Sequence, residues 1–315
     1  MIEINHLVKK YGTFTAVDDL NMTLEDGKIY GLLGPNGAGK TTTMNMLTGY
    51  MGPTSGEIII NGHNIQKEPK AARKSIGYLP EQPPLYNDMT VKEYLTFAAE
   101  LKNIEKKSRK VDVLQAMEKT GTRDVAGRMI RNLSKGYRQR VGLAQAILGM
   151  PDIIILDEPT VGMDPIQIIE IRDMIRKLGE EHTVILSSHI LSEVSEICEF
   201  VYIISQGKLV AGDTVENLET QLSGNSELIL VVKADAETAG TLAQAEGVKK
   251  CTVEPTAKED NVRVILQADG NMDIRENVSV FCAQSQIPIL EMQLNAATLE
   301  DVFLELTEIK EEEAQ

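Results

Sequence analysis

The sequence predicts an α/β core built on a parallel sheet, followed by a smaller and more acidic α+β domain. Three observations carry this. Short apolar runs alternate with helical periods through the first two thirds of the chain. One run, Ile153-Ile154-Ile155-Leu156, is apolar at every position, as in a parallel strand covered on both faces. The charge also divides: residues 1–210 carry a net -1 and residues 211–315 a net -14, which marks a compositional boundary near residue 210. A length of 315 residues, 42% of them hydrophobic, suits two domains with a substantial core.

Taken in order, Ile2-Glu3-Ile4-Asn5 and Ala16–Leu24 alternate like strands, separated by a turn at Tyr11-Gly12-Thr13. Ile29–Leu33 reads as a buried strand and Thr42–Leu47 as the opening of a helix. Glu57–Ile60 followed by Asn61-Gly62 signals a hairpin. Residues 69–75 suit a short helix and Ile76–Leu79 a buried strand. Pro80–Tyr86 holds three prolines and must be a stiff extended segment, since proline fixes φ and removes a donor. Thr90-Val91-Lys92-Glu93 is a capping box. It opens a helical region to about residue 150, with apolar periods at Leu95, Ala98, Ala99 and at Val111, Leu114, Met117. Pro165 opens a helix over 165–180, Thr183–Leu186 is a buried strand, and 190–198 is a helix. A hairpin turns at Gln206-Gly207.

Beyond the boundary, strands at Leu228–Val232, Lys250–Val253, Val262–Leu266 and Ile287–Met292 interleave with helices over 235–246 and 272–285. This βαββαβ order is that of a small ferredoxin-like domain. A last helix over 298–309 starts at Thr298, and Glu311-Glu312-Glu313 is a frayed tail.

Several function classes are disfavoured. There is no Trp, and aromatic residues make up 4%, which suits nucleic-acid stacking poorly. The acidic second domain argues against nucleic acid as a partner. Residues 102–140 are locally basic, fit for phosphates, acidic protein or simply a solvated face. Cys198, Cys251 and Cys282 are isolated, as in reduced thiols of a cytosolic protein. The N-terminus is no signal peptide, and no apolar run approaches the ~20 residues of a membrane span.

The chemistry concentrates in a few motifs. Gly34-Pro35-Asn36-Gly37-Ala38-Gly39-Lys40-Thr41 matches G-x-x-x-x-G-K-[ST], between a strand and a helix continuing through Thr42. Its glycines let backbone N–H groups turn toward phosphate oxygens. The helix N-terminus adds donors, Lys40 reaches phosphates, and Thr41 is placed for Mg²⁺. Asp157-Glu158 ends the apolar strand. Two adjacent carboxylates beside phosphates imply a cation, with Asp157 on Mg²⁺ and Glu158 placed to polarise a water. His189 follows the next buried strand. Ser134 reads as an N-cap, and with Gly136 and the helix end it makes a second anion site.

Together, Tyr11, Gly34–Thr41, Gln82, Leu133-Ser134-Lys135-Gly136-Tyr137, Ile153–Glu158, Asp164 and His189 resemble the nucleotide-binding subunit of an ABC transporter over residues 1 to about 215. The resemblance implies a P-loop NTPase fold with an antiparallel β subdomain and a helical subdomain at about 88–150. By it, Tyr11 stacks on adenine, and Gln82 senses Mg²⁺ and couples to the membrane partner. Ser134 and Gly136 bind the γ-phosphate of ATP held by another subunit. Glu158 is the general base, Asp164 lies in the loop that communicates across the dimer, and His189 contacts the γ-phosphate. Lys135 and Tyr137 depart from the family's usual Leu-Ser-Gly-Gly-Gln, with Lys135 expected to add charge at the phosphates.

One phosphate loop and one closing motif per chain imply a homodimer, or a heterodimer with another ABC ATPase, and separate transmembrane permease subunits. The chain is then peripheral, on the cytoplasmic face of the membrane. Pro80–Tyr86 and Thr298-Leu299-Glu300-Asp301-Val302-Phe303 resemble ABC-2 type exporters, with residues 216–315 as an accessory domain. Alternatives are a mechanotransmission ATPase acting on envelope machinery without transport, a soluble ABC factor, or a small-molecule regulatory site in residues 216–315.

Overall fold

The computed structural model describes residues 1–222, 227–256, 258, 260–268, 272–295 and 299–304. The chain divides into two compact units, Met1–Asp213 and Thr214–Gln315.

The first unit opens with β1 (Ile2–Tyr11) and β2 (Phe14–Leu24), then β3 (Ile29–Leu33) and α1 (Lys40–Leu47). A hairpin of β4 (Ser55–Ile60) and β5 (His63–Asn64) follows, turning at Asn61-Gly62, both with positive φ. Next come α2 (Pro69–Lys74), β6 (Ile76–Leu79), α3 (Val91–Leu101), α4 (Arg109–Lys119) and α5 (Lys135–Ile147). The unit continues through β7 (Ile153–Asp157), α6 (Pro165–Gly179), β8 (Thr183–Ser188), α7 (Leu191–Ile197) and β9 (Phe200–Ser205), and β10 (Lys208–Thr214) closes it.

Two sheets form. The antiparallel one runs β2-β1-β4-β5, and the six-stranded one runs β10-β9-β3-β8-β7-β6. In the second sheet β3 pairs in parallel with β8 and β9, and β7 with β6 and β8. Every residue of β3, β7 and β8 is buried, which is why Ile29–Leu33, Ile153–Leu156 and Val184–Leu186 read without polar alternation. One core joins the two sheets: Ile2, Ile4 and Ile58 pack with Met44 and Met46 of α1 and with Ile153, Ile155 and Ile185. Full burial of each such side chain stabilises the fold by about 1.5–3 kcal/mol.

The helical region matches the capping expectation and corrects one face. Thr90 Oγ1 accepts from Glu93 N, and Glu93 answers at Thr90 N, so the capping box is formed. Leu95, Ala98, Ala99 and Met117 are buried, but Val111 is exposed. The inward face of α4 is Val113, Ala116 and Met117, and Val111, two residues before Val113, lies roughly 200° round the helix from it. Helix α1 begins at Lys40, two residues before the expected opening at Thr42, and α5 begins at Lys135, directly after its expected cap Ser134.

The second unit contains α8 (Val215–Leu222), β11 (Glu227–Val232), α9 (Ala236–Gly240), β12 (Val248–Pro255), β13 (Val262–Ala268), α10 (Arg275–Gln284) and β14 (Ile289–Asn295). Its sheet runs β12-β13-β11-β14 with every pairing antiparallel. Leu228, Leu230, Val232, Val264 and Leu266 pack under Ala239, Leu242, Val278 and Cys282. The helix expected over 235–246 is shorter: it breaks at Gly240 into a 3-10 turn over Thr241–Gln244. Helix α8 has no counterpart in the sequence reading. Residues 299–304 are helical. Thr298, the expected cap of that helix, and the tail Glu311-Glu312-Glu313 lie outside the described residues.

Candidate functional site

Strand register assembles the site. Leu33 of β3 pairs with Ser188 of β8, and Asp157 of β7 pairs with Ser187. The three parallel strands therefore end together, at the edge where open α/β sheets bind ligands. From that edge leave the loop Gly34–Gly39, the pair Asp157-Glu158, and Ser187-Ser188-His189.

The loop's shape depends on missing side chains. A Cβ at Gly34 would lie 2.3 Å from Ile204 O, and one at Gly39 2.5 Å from Ala16 O. Gly39 also takes φ 104, a region open to glycine, and so starts α1 directly beneath the loop. Pro35 and Asn36 sit at the exposed tip, and Ala38 is anchored by donating to Pro35 O at 3.1 Å. Lys40 is 7% exposed. Its Nζ donates to Gly34 O at 2.7 Å and lies 3.9 Å from Glu158 Oε1. Thr41 is exposed on the first turn and Thr42 half-buried beside it.

Asp157 is 2% exposed and Glu158 9%. Ser187 Oγ ties them together: it donates to Asp157 Oδ1 and accepts from Glu158 N at 3.0 Å. Glu158 takes φ 48, a left-handed backbone that a non-glycine residue adopts only where surroundings hold it. His189 Nδ1 lies 2.9 Å from Glu158 Oε2. A carboxylate only accepts, so this contact assigns the proton to Nδ1 and leaves Nε2 for another group.

Burial pushes the Glu158 carboxyl above its ordinary value, against the opposing pull of His189 and Lys40. Burial also pulls the Lys40 ammonium down, opposed by Glu158 and Asp157. Burial and the charge of Asp157 push Tyr78 up to about 12. The cluster thus holds a carboxylate biased toward taking a proton beside a partly desolvated cation. That combination suits polarising a water next to an anionic group.

Direct contacts bring Lys40, Glu158 and His189 together, with Asp157 linked through Ser187. The remaining expected residues stand apart within one chain. Tyr11, the last residue of β1, is exposed, and its hydroxyl donates to Met51 Sδ at 3.1 Å. Gln82 lines a 430 Å³ groove with Glu81, Lys135, Arg138, Gln139 and Val161. Ser134 caps α5, accepting from Tyr137 N at 3.3 Å. Gly136 lies under Gln167, where a Cβ would come within 2.7 Å of the amide oxygen. Asp164 caps α6 by accepting from Gln167 N at 2.9 Å.

Two supports were missed in the sequence. Ser187 is one, and its signal was a polar pair, Ser187-Ser188, ending an otherwise apolar buried strand. Glu193 is the other: buried on α7, it accepts from Thr160 Oγ1 at 2.6 Å and lies 3.7 Å from Arg172. It braces the turn that follows Glu158. Nothing in the sequence marked it, since its acceptor role exists only after α7 packs beside that turn. Among the described residues, no helix is long and apolar enough to cross a membrane.

The ABC transporter family model matches residues 17–161. An uncharacterized ABC transporter ATP-binding protein of Bacillus subtilis, YhcH, is 35% identical over 320 residues, covering 100% of this chain and 98% of the relative. The bacitracin transport ATP-binding protein BcrA of Bacillus licheniformis is 33% identical, covering 97% of each. The lantibiotic transport ATP-binding protein SrtF of Streptococcus pyogenes is 38% identical, covering 70% of this chain and 94% of that protein. Among solved structures, an ATP-binding subunit of an ABC transporter aligns with TM-score 0.64 at 28% identity, over 70% of this chain and 92% of the other. By these matches the chain belongs to the family of ABC transporter ATP-binding subunits, the ATP-hydrolysing partners of transport.

Proposed function

We propose that this subunit works as a pair, with a second copy or a close relative, closing around two ATP and driving a separate membrane permease, most simply in export. The observation that carries the reading is the contact set Lys40–Glu158–His189 at the shared end of three parallel strands. Lys40 and the loop Gly34–Thr42 hold the phosphates, and Glu158 takes the proton of the attacking water. His189 keeps Glu158 oriented and offers Nε2 to the γ-phosphate. Tyr11 packs on the adenine. Ser134 and Gly136 of the opposite chain close the site, and Asp164 sits in the loop that links the two.

Mg²⁺ fits the donor set: Asp157 is a buried carboxylate with one hydroxyl partner, and Mg²⁺ takes few protein ligands when phosphates supply the rest. Thr41, Asp157 and Gln82 would hold it, and it would neutralise charge on the phosphates. Gln82 belongs also to the route toward the permease.

Residues 216–315 act as an accessory domain, with the structural boundary at Asp213/Thr214. We read this domain as ferredoxin-like because its element order is βαββαβ and its sheet order is β12-β13-β11-β14. The chain sits at the inner membrane face through its permease. The names of the bacitracin and lantibiotic relatives make compounds of those kinds the first cargo to test.

The test is Glu158→Gln. The purified variant should bind ATP, form a stable dimer on size exclusion and release no phosphate. Full hydrolysis by the variant would overturn the role of Glu158. Failure to dimerise with ATP would overturn the paired site. Isolation from membranes should bring down a permease chain.

A further inference from the structure

Glu193 holds a buried carboxylate that the nucleotide chemistry described above leaves unused. It is 2% exposed and sits on the first turn of α7. One of its oxygens, Oε2, accepts from Thr160 Oγ1 at 2.6 Å and from Ser188 Oγ at 3.5 Å. Both donors are buried. The other oxygen, Oε1, has no hydrogen-bond partner among the described residues, and neither has the buried Nε of Arg172. Arg172 Nη2 lies 3.7 Å from Oε1. A buried ion pair matched this loosely contributes little to stability, because desolvating both charges offsets their attraction. The carboxylate is better explained by what its two donors hold.

Those donors belong to the two segments that carry Glu158 and His189. Thr160 stands two residues after Glu158, and Ser188 one residue before His189. Glu193 is also tied to the second segment through the backbone. Its N–H donates to Ile190 O at 3.2 Å, and Ile190 N donates to Ser188 Oγ at 3.0 Å. His189 Nδ1 in turn donates to Glu158 Oε2 at 2.9 Å. The result is a closed ring from Glu158 through Thr160, Glu193 and His189 back to Glu158. Glu158 needs such support, since its φ of 48 is a backbone that only the surroundings maintain. The bonds internal to its turn are long: 3.3 Å from Val161 N to Glu158 O, and 3.2 Å from Met163 N to Thr160 O. The Thr160–Glu193 bond, at 2.6 Å, is the short one.

We propose that Glu193 is a positioning residue for hydrolysis: through Thr160 it sets the Glu158 carboxylate in register with His189. This rests on the reading of Glu158 as the base. Glu193 takes no proton itself and acts through its two donors. Lys40 and the loop Gly34–Gly39, which hold the phosphates in that reading, lie outside the ring. Loss of the Thr160–Glu193 bond therefore leaves ATP capture intact and lets the base drift from the line of attack, and rate is sensitive to such drift.

The test is steady-state ATPase of the full chain with ATP and Mg²⁺. Thr160→Val keeps the shape of the side chain and removes the donor. Its kcat should fall by roughly 10–100-fold, with KM for ATP within about twofold of the parent. Thr160→Ser returns the hydroxyl and should recover most of the rate. Glu193→Ala should match Thr160→Val, and the double variant should be no slower than either, because both changes break one contact. A parent-like kcat in Thr160→Val, a KM that rises in step with the loss, no recovery in Thr160→Ser, or losses that multiply in the double variant would each overturn the proposal. Should Glu193→Ala fail to fold, the two Thr160 variants decide alone. Glu158→Gln separates this proposal from the reading beneath it. An inactive Glu158→Gln beside a fully active Thr160→Val removes the positioning role and leaves the base. A Glu158→Gln chain that hydrolyses at the parent rate removes the base, and the positioning role with it.

Discussion

Ser187→Ala is the most informative single change outside the phosphate loop. Ser187 is fully buried, and its hydroxyl is the hydrogen-bond partner of the Asp157 carboxylate and an acceptor for Glu158 N. Glu158 N keeps a second acceptor in Ser187 O at 3.2 Å, so the change strips mainly the carboxylate. A bond to a buried charged group contributes about 1.5–3 kcal/mol and a neutral one about 1 kcal/mol, so the loss should be about 2–4 kcal/mol. For a unit the size of Met1–Asp213, each kcal/mol moves the melting temperature by about 2–4 °C. The expected fall is therefore roughly 4–16 °C, read by calorimetry. An unsupported Asp157 should also weaken Mg²⁺ use by about 10–100-fold, read as the Mg²⁺ concentration giving half-maximal ATPase. Ser188→Ala is the control. Its hydroxyl accepts from Ile190 N at 3.0 Å and donates to Glu193 at 3.5 Å, with no bond to Asp157, so it should leave the Mg²⁺ response alone. A Ser187→Ala chain with unchanged melting and unchanged Mg²⁺ response would refute this account of the two carboxylates.

Other expectations follow from single contacts. Glu158 has a folded-state pKa above its ordinary 4.5, so the fold disfavours its charged form. Its contribution is most favourable below 4.5 and is lost as pH rises through the raised value. Glu158→Gln should therefore be more stable than the parent at neutral pH, with the gap closing under acid, and a constant gap in urea titrations across pH would count against it. Gly77→Ala would place a Cβ 2.2 Å from Ala146 O and should cost more than about 3 kcal/mol. Gly52→Ala meets nothing within 4 Å and should be near neutral, and equal midpoints for the two would contradict the packing of β6 against α5. Thr90→Ala removes the hydroxyl half of a capping box, leaving the backbone N–H of residue 90 on Glu93, and should cost about 1 kcal/mol, with amide exchange speeding over the first turn of α3. Protection that stays unchanged there would mean the cap contributes nothing.

The sequence by itself determined which residues are the candidates for chemistry and on which elements they sit. Gly34–Thr41, Asp157-Glu158 and His189 were legible because phosphate cradling and strand-end carboxylates demand particular residue types at fixed spacings along one chain. Ile153–Leu156 was legible as a parallel strand because burial on both faces removes alternation. Tertiary structure alone decided their contacts. Lys40, Glu158 and His189 meet because β3, β8 and β7 lie side by side in one register, and strand order is not written in any local period. Ser187 and Glu193 gained their roles the same way, as partners supplied by neighbouring elements. Val111 misled because packing chose the face of Val113, Ala116 and Met117, and Val111 lies off that face. Lys135 shows the difference too: the sequence marked it as a cation beside an anion site, and only packing brought its exposed ammonium alongside Gly162.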